Sequence, residues 1–189
     1  VHNNNVANGR LYLATHLNDT YNGNLTLRNK GAYSELLCGN RQGIYTVNGD
    51  LNVYHETKGT GNQSFYLANN NSTIFNIAGN MNVTNNSTGA SGSHNMYISN
   101  NGMVNIAGNL NVHNASNSGT HRYIYVGVSG DITVGGDLNL TNNSSANTSQ
   151  IILANGSSSS VNVTGNSLLN NCSTGNNSQC YLGNYGDVT

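Results

Sequence analysis

Acid–base catalysis needs titratable side chains within reach of one another, and this chain holds few of them, widely scattered. Its seven acids are Asp19, Glu35, Asp50, Glu56, Asp131, Asp137 and Asp187. Four of these, Asp50, Asp131, Asp137 and Asp187, directly follow a glycine, which is a turn setting. Cleaving a polysaccharide takes clustered carboxylates, or an Arg or Lys base, in a groove, and no such cluster is legible. The six histidines, His2, His16, His55, His94, His113 and His121, lack the spacing of metal ligands. The expectation is a non-enzyme without metal or cofactor.

Two further chemistries need weighing. Cys38, Cys172 and Cys180 form no C-x-x-C pair, which argues against zinc. Cys172 and Cys180 flank one loop and could bridge it in an oxidising compartment; the alternative is three small buried thiols. The triplet N-x-[ST] recurs, at Asn24, Asn82, Asn114, Asn142, Asn147, Asn162 and Asn171 among others. In a chain this rich in Asn, Ser and Thr it is a weak glycosylation signal. Asn114, Asn142 and Asn147, read as loop sites, are the better acceptors.

What organises these residues is a repeat. GNLTLRN from Gly23 returns as GDLNVYH from Gly49, GNMNVTN from Gly79, GNLNVHN from Gly108, GDLNLTN from Gly136 and, eroded, GNSLLNN from Gly165. Subtracting successive glycine numbers gives spacings of 26, 30, 29, 28 and 29. A fixed period of this size marks stacked supersecondary units.

Each period carries three short alternating segments. The first runs Leu11-Tyr12-Leu13-Ala14, Glu35-Leu36-Leu37-Cys38, Phe65-Tyr66-Leu67-Ala68, Met96-Tyr97-Ile98-Ser99 and onward to Cys180-Tyr181-Leu182-Gly183. The second is Tyr45-Thr46-Val47, Phe75-Asn76-Ile77, Val104-Asn105-Ile106, Ile132-Thr133-Val134 and Val161-Asn162-Val163, with a last copy at Val188-Thr189. The third is the glycine-led unit itself. Alternation points the apolar outer residues of each triplet inward and the middle residue outward. Three strands per coil of about 29 residues predict an all-β parallel solenoid of six to seven coils, a single domain over 1–189. Residues 1–22 form an irregular first coil, because His16, Asp19 and Thr20 stand where aliphatics belong, and 23–189 carry the repeats. Glu35 falls at an inward position, which means either an edge location or a register one residue out.

The corners supply the rest of the pattern. Gly49, Gly79 and Gly108 sit at a three-residue corner, where glycine allows a left-handed bend. Asn or Asp follows at Asn24, Asp50, Asn80, Asn109, Asp137 and Asn166, read as turn formers. The connection from the third strand to the next coil is longest, as in Thr84 to Asn95. For Asn52, Asn76, Asn82, Asn105, Asn111 and Asn139 an amide, both donor and acceptor, suits a column bonded at the strand spacing.

Charged residues are only 7 % of the chain and net charge is −1, with no basic stripe and no long apolar run. Nucleic acid and membrane insertion are therefore unexpected. Val1-His2-Asn3 aligns with Val112-His113-Asn114, and Thr189 falls inside a second strand. The expectation is an uncapped stack whose interface comprises Val1, His2, Asn3, Leu11, Tyr12, Leu13, Tyr181, Leu182, Asp187, Val188 and Thr189. An outward column of Tyr12, Leu36, Tyr66, Tyr97, Tyr125, Ile152 and Tyr181 is a second candidate surface, for glycans or another filament.

The G-[ND]-L-[NT]-[VL] unit, as GNLTL from Gly23 and GDLNL from Gly136, resembles the repeats of filamentous-haemagglutinin-type secreted adhesins and related bacterial surface β-helices. That resemblance implies an adhesive or filament-forming role at the cell surface. The expected function is a structural subunit of an extracellular filament, its partner being its own kind, stacked head to tail. The alternative is a segment of a long monomeric adhesin, and an ice-binding solenoid is a lesser rival because Asn interrupts the Thr array.

Overall fold

A computed structural model describes residues 2–3, 8–13, 18–31, 33–59, 61–88, 92–116 and 119–189. These residues wind into an all-β parallel solenoid with three seven-stranded sheets and coils of about 29 residues. The first face holds Asn8–Leu13, Tyr33–Cys38, Phe65–Leu67, Met96–Ile98, His121–Val126, Thr148–Leu153 and Asn177–Tyr181. The second holds Asn18–Tyr21, Gly43–Val47, Thr73–Ile77, Met103–Ile106, Ile132–Val134, Ser160–Val163 and Asp187–Val188. The third holds His2–Asn3, Leu25–Asn29, Leu51–His55, Met81–Asn85, Leu110–Asn114, Leu138–Asn142 and Ser167–Asn171. Every strand pairs in parallel with its equivalent one coil away, as Met81 with Leu51 and with Leu110.

The strands exist because alternation matches the pleat. On the third face Leu51, Val53, Met81, Val83, Leu110 and Val112 point inward and are buried. Phe75, Val104 and Ile132 from the second face and Phe65, Met96 and Ile124 from the first complete the same cluster. Each such side chain contributes about 1.5–3 kcal/mol relative to its exposed state. The core is one apolar column rather than a layer between sheets, so it depends on coil-to-coil registry.

Two expectations about register need correction. Leu36, expected outward, is fully buried and pairs with Phe65, while Leu37 pairs with Tyr66 and takes the outward place. The strand Tyr33–Cys38 is one residue out of the alignment read from sequence, so Glu35 faces outward with Leu37. The first coil does pair: Asp19, Thr20 and Tyr21 lie beside Tyr45, Thr46 and Val47. Ala14 and His16 fall outside the described residues.

The corner glycines also act differently from expectation. A left-handed bend recurs at the corner after the first face, at Gly39, Ala68, Ser99, Gly127, Ala154 and Gly183, with φ between 49 and 70°, and Gly92 and Gly119 have positive φ at the long corner. At the glycine-led corner only Gly23 has positive φ. Gly49, Gly79, Gly108 and Gly136 are required by proximity instead. A Cβ on Gly108 would lie 2.6 Å from Asn80 Oδ1 and 2.8 Å from the Gly79 carbonyl oxygen of the preceding coil.

Steric demand of this kind is testable. Gly108→Ala should force coils apart locally and cost about 1–3 kcal/mol, as overpacking of a rigid site does. A far-ultraviolet circular-dichroism melt checks it, and an unchanged midpoint would show that this corner tolerates a methyl group.

Candidate functional site

The chemistry of this chain runs along its axis. On the third face Asn82 Nδ2 donates to Asn52 Oδ1, Asn111 to Asn82 and Asn139 to Asn111, each at 2.9 Å. Alternation places these amides on the outer surface, and parallel in-register pairing sets each above the next. The run of asparagines gives way to Thr26 at one end and Leu168 at the other. On the second face Asn105 donates to Asn76 at 2.9 Å, and Thr133 then interrupts the column. All six expected ladder asparagines are bonded in this way.

The corner residues do more than form turns. Asn24 Oδ1 accepts from the Asp50 backbone N–H, Asp50 from that of Asn80 and Asn80 from that of Asn109. Asn109 and Asp137 accept likewise from Asp137 and Asn166, so distances along the column are 2.7–2.9 Å. Since the side chain needs only an acceptor here, Asp serves as well as Asn. At the mid-strand ladder each side chain must donate as well, and only Asn is found from coil to coil. A third column links Asn100 to Asn69 and Asn69 to Asn40, at 2.7 and 2.8 Å.

The recurring N-x-[ST] triplet has a structural reason that sequence reading missed. Residues i and i+2 of an alternating strand point the same way, and here both point inward. Asn85, Asn114 and Asn142 are wholly buried, as are Ser87, Ser116 and, within 1 %, Ser144. Ser87 N–H donates to Asn85 Oδ1, and the Ser116 hydroxyl donates to Asn114 Oδ1. Asn142 Nδ2 crosses the corner to the Arg122 carbonyl at 3.2 Å, and Asn171 Nδ2 reaches the Ser149 and Gln179 carbonyls at 3.0 Å. The long corner is thus an ordered polar seam. Asn114 and Asn142 are excluded as glycan acceptors in the folded chain; Asn147 is exposed. The signal was the coil-by-coil return of the triplet at one place, the end of the third strand.

Other candidate groups fall as follows. Tyr66, Tyr97 and Tyr125 stack face to face, with centroids 4.6 and 4.9 Å apart and planes within 4°. Tyr123 meets Tyr125 edge-on, and burial with neighbouring phenols pushes both hydroxyls above their ordinary range. The ring faces are consumed within the stack, so what this column presents outward is ring edge and hydroxyl. Tyr12 lies beside Leu37 and Tyr181 beside Ile152, so neither extends the stack. Cys38 is buried, whereas Cys172 and Cys180 are exposed and unpaired. The loop-closing disulfide is not formed, and the Cys172 thiol turns to Asn170 Oδ1 at 2.7 Å instead.

At the last coil the inward row is open along the axis. Leu182 and Val188, at the positions of buried Leu153 and Val161, are 64 % and 37 % exposed. Leu168, in the ladder column, is 57 % exposed. Asp187 and Thr189 are exposed beside Val188, and Tyr181 is half-buried. At the opposite end Leu11, Tyr12 and Leu13 lie in the outermost first-face strand, and His2 and Asn3 pair with Arg28 and Asn29. Val1 falls outside the described residues. No protein-family model, curated protein or solved structure matches the chain.

Two outcomes test this reading. Asn111→Ala removes a donor and an acceptor from mid-ladder and should cost about 1–2 kcal/mol. Asn111→Asp should destabilise at neutral pH because position 111 must donate, whereas Asp137→Asn should leave the melt nearly unchanged because its side chain only accepts; urea melts of the three variants check the order. The second concerns His55, the histidine standing where other coils have Asn. Burial lowers its pKa to about 4 and that of His94 to about 3, against 6.5 when exposed. Well above pH 6.5 both rings are neutral in the folded and the unfolded chain and contribute no pH dependence. Below it the unfolded chain takes up protons that the folded chain refuses, so stability falls steadily toward pH 4. His55→Asn should roughly halve that slope in pH-dependent melting.

Proposed function

We propose that this chain is a structural segment of an extracellular or cell-surface filament, in which the coil stack is continued head to tail by coils of the same geometry. The observation that carries this reading is the in-register repetition of the coil, whose apolar core row, corner column and backbone ladder recur at every strand spacing. Leu182 and Val188 occupy core positions in the last described coil, at the places that Leu153 and Val161 hold one coil earlier. Exposed edges and an open apolar core are a template for further stacking. The corner column supports the same reading, because it runs unbroken from Asn24 to Asn166 and a further coil would extend it in kind. Lateral partners would meet tyrosine edges on one face and amides on another, surfaces suited to polar contact with a glycan or a second filament.

The continuing coil belongs either to a second copy or to more of the same polypeptide. The first alternative makes the chain a polymer subunit, and the second makes it part of a long adhesin of the kind its repeats resemble. The geometry of the stack is identical in the two cases.

Electron microscopy of the purified chain separates them. Head-to-tail assembly predicts fibres one solenoid wide, with a meridional spacing of about 4.8 Å by diffraction. A Leu182→Lys, Val188→Lys double variant should remain folded and form no fibres. Uniform single particles of the unaltered chain at all concentrations would exclude the polymer.

A further inference from the structure

One part of the interior is built unlike the rest. Arg122 is fully buried at the start of a first-face strand, where the equivalent residue one coil later is Ser149. Its Nη1 donates to the carbonyls of Gly92 and His121, at 3.0 and 2.7 Å. Among the described residues its Nε and Nη2 have no partner. Nor does any described carboxylate pair with it. Glu56, the acid nearest this seam in sequence, is held by Arg28 and Lys30, each at 3.7 Å.

The groups around this guanidinium share its deficiency. His94 occupies the matching inward position one coil earlier, as the pairings Ser93 with His121 and Met96 with Ile124 require. It is fully buried with both ring nitrogens unpartnered, and it feels the charge of Arg122 and the proximity of His55. His55 Nε2 and the Nδ2 atoms of Asn85 and Asn114, which end the facing strands, are unpartnered as well. One coil further, Asn142 spends its Nδ2 on the Arg122 and Gln150 carbonyls, across a corner lined by small Ser144 and Ser149. Where His94 and Arg122 intrude instead, the amides stop short of such acceptors. The result is a buried region in which unpartnered N–H donors outnumber the unpartnered acceptors, Asn142 Oδ1 and one nitrogen of the neutral His94 ring. Among the described residues it carries one fixed positive charge and no fixed negative one.

We propose that this seam holds a single monovalent anion of halide size, bound by Arg122 with the Asn85 and Asn114 amides and His94. A buried cation with spare donors is costly unless an opposite charge meets it. One guanidinium calls for one negative charge, since burial keeps both histidines neutral. A spherical ion accepts from convergent N–H groups of any orientation, which suits donors arriving from two faces and two coils.

The probes are chloride and bromide with the intact chain. At matched ionic strength its melting midpoint should be higher in sodium chloride than in sodium gluconate, rising by about 3–5 °C per tenfold increase in chloride above saturation. Arg122→Met keeps the stem, removes the charge and should abolish the difference. Should that variant not fold, anomalous scattering from the unaltered protein soaked in sodium bromide decides alone. A peak within hydrogen-bonding distance of Arg122 Nε or Nη2 supports the site. Equal melting in the two salts, or density at Arg122 with no bromide signal, overturns it and leaves water as the occupant.

Discussion

Parallel stacking at one strand spacing per coil is the constraint from which the rest of this structure follows. Every residue sits directly above and below its own equivalent, so a side chain's main partner is another copy of its position. Residues that pair well with themselves accumulate under that rule. Asparagine does, because one amide donates where the next accepts, and tyrosine does by stacking ring on ring. Charged residues do not. Two like charges at the 4.6–4.9 Å separation of the tyrosine centroids repel by about 1 kcal/mol even in water. A chain with 7 % charged residues and about a fifth asparagine is what this geometry selects.

The exceptions prove informative because they break the rule locally. His55 interrupts a column of inward asparagines, and burial keeps its ring neutral at the expense of acid stability. Arg122 places a full charge where neighbouring coils have His94 and Ser149. Arginine stays protonated there, since burial lowers its pKa only to about 10. Ala68, Ser99 and Ala154 accept positive φ at the corner where other coils use glycine. Each such non-glycine corner costs about 1 kcal/mol, and the stack on either side holds it in place.

Much of this architecture was legible in the residues, because the period and the alternation are properties of sequence. The glycine-led unit fixed the coil length, and the apolar triplets fixed which side chains face inward. What escaped is what depends on the neighbouring coil. Nothing local distinguishes Leu36 from Leu37, and only pairing with Phe65 decides which is buried. Gly108 looks like a bend, yet its reason is the carbonyl of Gly79 across the gap. Asn114 looks like a loop residue within a glycosylation triplet, yet it lies inward with Ser116 bonded to it. The corner acids looked like turn formers, and their bond to the next coil's backbone shows only in three dimensions.

A stack held together in this way has no preferred length. Each added coil makes the same backbone ladder and the same kind of core contact as the one before, so its stabilisation depends little on position. A globular core closes on itself and stops; a column of this type ends only where something covers the last row. In the last described coil Leu182 and Val188 hold the core positions of that row. Covering them with water-facing loops would hide the apolar row but leave the ladder unsatisfied. Another coil does both at once, whichever polypeptide supplies it, and that is the packing argument behind the proposed filament.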